Sequence, residues 1–115
     1  MAAEPVSVVV AAKALDGLTM RMAAISQNLA NAGSPRFQAV KVDFENSLRI
    51  ASRQGPDAVR SLDFTFTADR VFLPGEDRRL DLQLADAAQT AMRYAALVDM
   101  LGRRLSIQRA LAGGK

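Results

Sequence analysis

Apolar residues recur three and four apart at both ends of this chain, and that spacing restricts the fold more than any other feature. Near the N-terminus the set is Leu15, Leu18, Met22, Ile25, Leu29 and Ala32. Near the C-terminus it is Leu80, Leu84, Ala87, Ala91, Tyr94, Val98, Leu101 and Leu105. Each set falls on one narrow stripe of a helix, which is the pattern of a coiled-coil seam and not of a broad globular face. The sequence predicts a mainly α fold, with long N- and C-terminal helices pairing as a coiled coil and a small extended or β segment between them.

Composition fits a packing element. The chain has 115 residues, enough for one small domain with a limited core. Half of its residues are hydrophobic, but Ala supplies many of them and the aromatics are five Phe and one Tyr. Small side chains let helices approach closely; they do not enclose a large interior. There is no His and no Cys. That excludes His- or Cys-based nucleophilic catalysis, a His general base and an ordinary zinc site, and the sequence points to no cofactor, no catalytic residue and no metal ligand. Asp81, Asp86 and Asp99 are scattered acids on a helix, and nothing resembles a phosphate-cradling loop. An enzyme is not expected.

The net charge of +3 raises nucleic acid as a partner. The Arg residues, however, are interleaved with acids and lack stacking aromatics, so no nucleic acid is expected. Arg103, Arg104, Arg109 and Lys115 complement the negative end of a C-terminal helix dipole. The longest apolar run, residues 6–12, falls far short of the ~20 residues a membrane span needs. Glu4 stands where a secretory signal would carry basic residues, so a cleaved signal is not expected.

Along the chain, a helix is expected over about 6–32, with Gly17 a soft point inside it at a cost of about 1 kcal/mol relative to Ala. Gly33, Ser34 and Pro35 end it, Gly by the left-handed capping conformation and Pro by blocking continuation. Residues 33–78 read as turn, extended and loop segments. Val40, Val42 and Phe44 alternate with Lys41 and Asp43 as in a half-buried strand. A short helix is expected over 44–51, a loop over 52–61 and a second short strand on Leu62, Phe64 and Phe66. Val71 to Leu73 would add a third extended piece before Pro74 and Gly75 turn the chain. Glu76, Asp77 and Asp81 then suit a helix N-terminus, and the last helix should run over about 79–112. The whole of 1–115 reads as a single domain. On pattern alone, a closed two- or three-helix bundle remains open beside an assembling subunit whose seams pair between copies.

The first helix runs into the string NLANAGSPRF, residues 28–37. With Ile25, Ser26, Gln27, Gln38 and Ala39 around it, this resembles the motif I-S-x-N-I-A-N-x-x-T-P-G-[YF]-[KQ]-A of the axial family of the bacterial flagellum, whose members build the rod, hook and hook–filament junction. The motif residues here are Asn28, Ala30, Asn31, Ser34, Pro35 and Phe37. The C-terminal helix resembles the family's second half through Leu80-Asp81-Leu82 and Arg93-Tyr94 with Leu97, Leu101 and Arg104. The short length, the compact Ser34-Pro35-Arg36-Phe37 string and the Val42-Asp43-Phe44-Glu45 tract are most similar to proximal-rod subunits. Arg36 stands where the family usually has Gly, and Ser34 where it has Thr. Ser keeps a hydroxyl for local backbone bonding, and Arg disfavours a turn with positive φ.

The resemblance implies a structural subunit of the periplasmic rod, which transmits torque and surrounds an export channel. It implies partners among copies of the chain, other rod proteins, and the base of the rod with membrane-ring and export-gate components. Export would follow the flagellar type III route. Early substrates of that route carry an F-x-x-x-Φ element, which Phe44 and Leu48 fit; the same pair fits simple core packing. Asn28 and Asn31 share a helix face and suit either a polar helix end or a bond between segments. A soluble helical adaptor or export chaperone, or another proximal-rod member of the family, remains the alternative.

Overall fold

The computed structural model describes residues 5–70 and 78–113. Its elements are α1 (Val6–Ala30), β1 (Val40–Lys41), α2 (Glu45–Gln54), α3 (Pro56–Arg60), β2 (Thr67–Ala68) and α4 (Arg78–Gly113). The fold is mainly helical, with long terminal helices and a small two-stranded sheet between them, as the stripes predict. The expected extended piece at Val71 to Leu73, the turn at Pro74 and Gly75, and the acids Glu76 and Asp77 lie outside the described residues.

Leu18, Thr19 and Met22 of α1 share one groove with Thr90, Ala91, Tyr94 and Ala95 of α4, and Ala14 shares another with Ala96 and Leu97. The two helices therefore run antiparallel. At 25 and 36 residues they have lengths of roughly 37 and 54 Å, so the end of α4 projects beyond the start of α1. The molecule is correspondingly elongated, 62 × 26 × 15 Å.

The core lies between α1 and the middle segment. Val9, Leu18 and Ala24 of α1 cluster with Val42, Phe44, Leu48, Ala51 and Val59, and α4 contributes Leu97 at the edge. The middle segment is thus the other half of the hydrophobic core. Lys13 ties α3 to α1 by donating from Nζ to the Arg60 carbonyl, 3.3 Å away, and sits over the Phe64 ring.

Several local expectations are corrected. α1 ends at Ala30, and its cap is Asn31 at φ −108°, not a left-handed Gly33. Among the described residues positive φ occurs only at Gly55, where φ is 114° and the chain breaks between α2 and α3. Residues 56–60, expected as loop, form α3, because Pro56 at its first position and Asp57 beside it favour a helix start. The second strand is displaced from Leu62–Phe66 to Thr67–Ala68, since Leu62 and Phe64 pack against the core as irregular chain. β1 closes after two residues and pairs antiparallel with β2, Val40 opposite Ala68 and Lys41 opposite Thr67.

Gly17 is no soft point. It is buried against Phe44, and a Cβ there would lie 2.5–2.7 Å from three ring carbons. The Phe44 ring occupies the place a side chain would take, so the missing methyl is what seats the middle segment on α1. Gly17→Ala gains helix propensity but loses this packing, and the ring, buried and tilted against Phe64 at 5.6 Å, has little room to yield. The expected result is a net destabilisation of about 1–3 kcal/mol, read as a lower midpoint in thermal or urea unfolding. A raised midpoint would contradict the packing role.

Candidate assembly surface

The motif string acts first within the chain. Alternation along β1 turns the N–H and C=O of Val40 away from β2, and both would be orphaned. Asn28, buried on α1, meets them: its Nδ2 donates to the Val40 carbonyl at 2.8 Å and its Oδ1 accepts from the Val40 N–H at 2.8 Å. A side-chain amide carries the same donor and acceptor as a peptide, so Asn28 stands in for a neighbouring strand. Asn31 works locally: its Nδ2 and its backbone N–H both donate to the Gln27 carbonyl at the frayed end of α1. The turn then closes through Ser34 N–H to Asn31 O and Phe37 N–H to Ser34 O, with Ala30, Ser34 and Pro35 exposed and Phe37 half-buried. It needs no positive φ, which is why Arg36 is tolerated there.

A charged cluster holds the other side of the segment. Arg21 donates from both terminal nitrogens to the two Glu45 oxygens at 2.6 Å, donates again to the Val42 carbonyl at 2.7 Å, and stacks 4.5 Å from the Phe44 ring centre. Arg93 of α4 reaches the same Glu45 carboxylate at 3.5 Å. The Arg21 hydrogen bonds hold the Glu45 carboxyl below its ordinary range, against the opposing effect of partial burial. No pattern in the sequence marks Arg21, Gln83 or Thr90 as important, whereas Glu45 stands in the tract that supported the family resemblance.

The seam residues divide unequally. On α1, Leu18 and Ile25 are buried and Leu15, Met22 and Leu29 are half-buried. On α4, Ala87 and Leu101 are half-buried, but Leu84, Val98 and Leu105 are 53, 47 and 47% exposed. Leu80, Ala91 and Tyr94 are exposed as well. Within one chain, α4 therefore does not turn this whole seam towards α1. Gln83 and Thr90, one position earlier in each seven, are the residues α4 buries.

Successive helical residues lie about 100° apart, so Leu80, Leu84, Ala91, Val98 and Leu105 sit within about 60° of one another. They form a continuous apolar stripe open to solvent beside the α1 contact. Leu82, Met100, Ile107 and Leu111 are exposed on the opposite flank of the same helix. A helix apolar on this much of its circumference matches one surrounded by other helices. Phe44 and Leu48, the suggested export element, are both buried in the core.

Long paired terminal helices, a small packed middle and an unfilled apolar stripe define a helical building block of the axial class that the NLANAGSPRF string resembles. FlgB, the flagellar basal body rod protein of Bacillus subtilis (strain 168), is 29% identical over 117 aligned positions, spanning 89% of this chain and 90% of the relative. No protein-family model matches the chain. The chain is thus similar, over nearly the whole length of both proteins, to a flagellar basal body rod protein.

Two measurements check the local chemistry. Asn28→Ala leaves the Val40 N–H and C=O without partners and should destabilise the fold by about 2 kcal/mol or more, with the Val40 amide losing its protection from hydrogen exchange. Unchanged protection would contradict the clamp. Because the folded Glu45 pKa is lowered, its contribution to stability is present above the unfolded carboxylate pKa and is lost as pH falls through the folded value. Its side chain is 51% exposed, so solvent screens the effect and it should be modest. Glu45→Gln should flatten the acid limb of the stability–pH curve, and an unaltered acid limb would contradict the assignment.

Proposed function

We propose that this chain is a structural subunit of the proximal rod, stacking head to tail with copies of itself and with other rod proteins into the helical shaft that transmits torque around an export channel. The observation that carries this reading is the open stripe Leu80–Leu84–Ala91–Val98–Leu105 on α4, an apolar surface with no partner among the described residues. A patch that differs from the surface it meets on the next copy propagates instead of closing. Helices whose backbone bonds are internally satisfied give such a shaft stiffness. In this reading the α1–α4 pair forms the inner layer. The middle segment, with 1–115 acting as one domain, faces other rod subunits, the membrane ring or the export gate.

The same reading has the protein in the periplasmic rod, exported by the flagellar type III system. Phe44 and Leu48 are buried, so an export gate would read them only in the unfolded chain. Phe44→Ala should then lower secretion more than Gly17→Leu, which disrupts the same packing and leaves the element intact. Equal secretion of the two would remove the export role.

Val98→Asp and Leu105→Asp test the stripe itself. Both positions are about half exposed, so the free chain should keep its unfolding midpoint, whereas Ile25→Asp would damage the buried core. In cells whose own copy is deleted, the expected result is full expression, no rods or hooks by electron microscopy, and no motility. Normal motility with either variant would contradict the assembly reading.

A further inference from the structure

α4 turns towards α1 the less apolar of two faces available to it. Gln83, Thr90 and Leu97 form one stripe spaced by seven; Leu84, Ala91 and Val98 form the next, and Ala87, Tyr94 and Leu101 are common to both. The first stripe is the one in contact, with Gln83 and Thr90 only 3 and 4% exposed. Gln83 Oε1 is buried without a hydrogen-bond partner, which disfavours the present arrangement. On the flank of the second stripe, an open apolar groove of about 320 Å³ lies between the helices, lined by Leu18, Thr19 and Met22 of α1 and Thr90, Ala91 and Tyr94 of α4. On the other flank, Arg93 reaches Glu45 and Leu97 packs against the core. These contacts hold α4 away from the groove.

We propose that α4 exchanges between two registers on α1 by rolling about 50° around its own axis, half the angular step between successive residues. The rolled register swings Ala91 into the groove, turns Leu84 and Val98 towards α1 on either side of it, and moves Gln83 and Thr90 to the edge of the contact, where water reaches them. It breaks the Arg93–Glu45 contact. In the free chain it covers part of the open stripe, and a neighbouring copy seated on that stripe holds the register seen here. That selection rests on the assembly reading; the roll itself does not.

The absence of cysteine makes the register directly measurable. Met22→Cys is combined with Thr90→Cys in one protein and with Ala91→Cys in another, and the rates of disulfide formation are compared in the purified full chain. Arg93→Gln, placed in both backgrounds, removes the contact that opposes the roll. An exposed ion pair is a weak restraint, so the 91-to-90 rate ratio should rise by up to about fivefold. Gln83→Leu improves the face now in contact and should lower the ratio. Circular dichroism melts identify any variant that is not folded, and Gln83→Met replaces Gln83→Leu if that one is not. A ratio that stays fixed in both variants, or moves the same way in both, overturns the roll, whatever the fate of these variants in cells.

Discussion

The contact between Phe44 and the bare backbone of Gly17 is the point on which the structure depends. It brings the middle of the chain down onto α1 and so places Glu45 within reach of Arg21. Arg21 then fixes the Val42 carbonyl, and Asn28 two turns further on fixes Val40. Between them these two side chains orient the extended stretch that leads into α2. The core is therefore assembled from α1 and the middle segment, with α4 laid across it at Leu97 and Arg93.

This division of labour explains how one chain can be both folded and unfinished. α1 buries Leu18 and Ile25 and ties the middle segment down through Lys13, Arg21 and Asn28. α4 keeps a stripe of large apolar side chains in water and buries Gln83 and Thr90 instead. An ordinary globular helix would show the reverse. The arrangement fits the proposed building block: α1 and the middle segment give a stable body, and α4 presents the surface proposed for contact between copies. The likeness to a flagellar rod protein supports the same reading.

Much of this was legible in the sequence, because long periodic stripes report helices through many residues at once. The two terminal helices and the strand beginning at Val40 follow from spacing, whereas the first helix stops at Ala30, within the Asn string and before Gly33. What escaped was set by single tertiary contacts. Gly17 carries no sign that a ring from residue 44 will press on it. The Leu62, Phe64 and Phe66 alternation reads as a strand, yet Leu62 and Phe64 turn to the core and the pairing moves to Thr67. α3 had a usable signal in Gly55-Pro56-Asp57, which was outweighed by the loop-like composition around it. The α4 stripe was visible as a seam, but which of two overlapping sevens faces α1 depends on Arg93, Leu97 and Glu45, and periodicity does not resolve that choice.

The account's central claim is that the α4 stripe is free in the single chain and covered in the rod. With no native cysteine, Leu105→Cys places one thiol on the stripe outside the part the roll covers, and its labelling by a small maleimide can be compared between the purified chain and basal bodies isolated from motile cells. The account predicts rapid labelling of the free chain and at least tenfold protection in the basal body, on the order expected for a thiol buried at a packed interface. Equal reactivity in the two states, in cells that assemble rods from this variant, would contradict it.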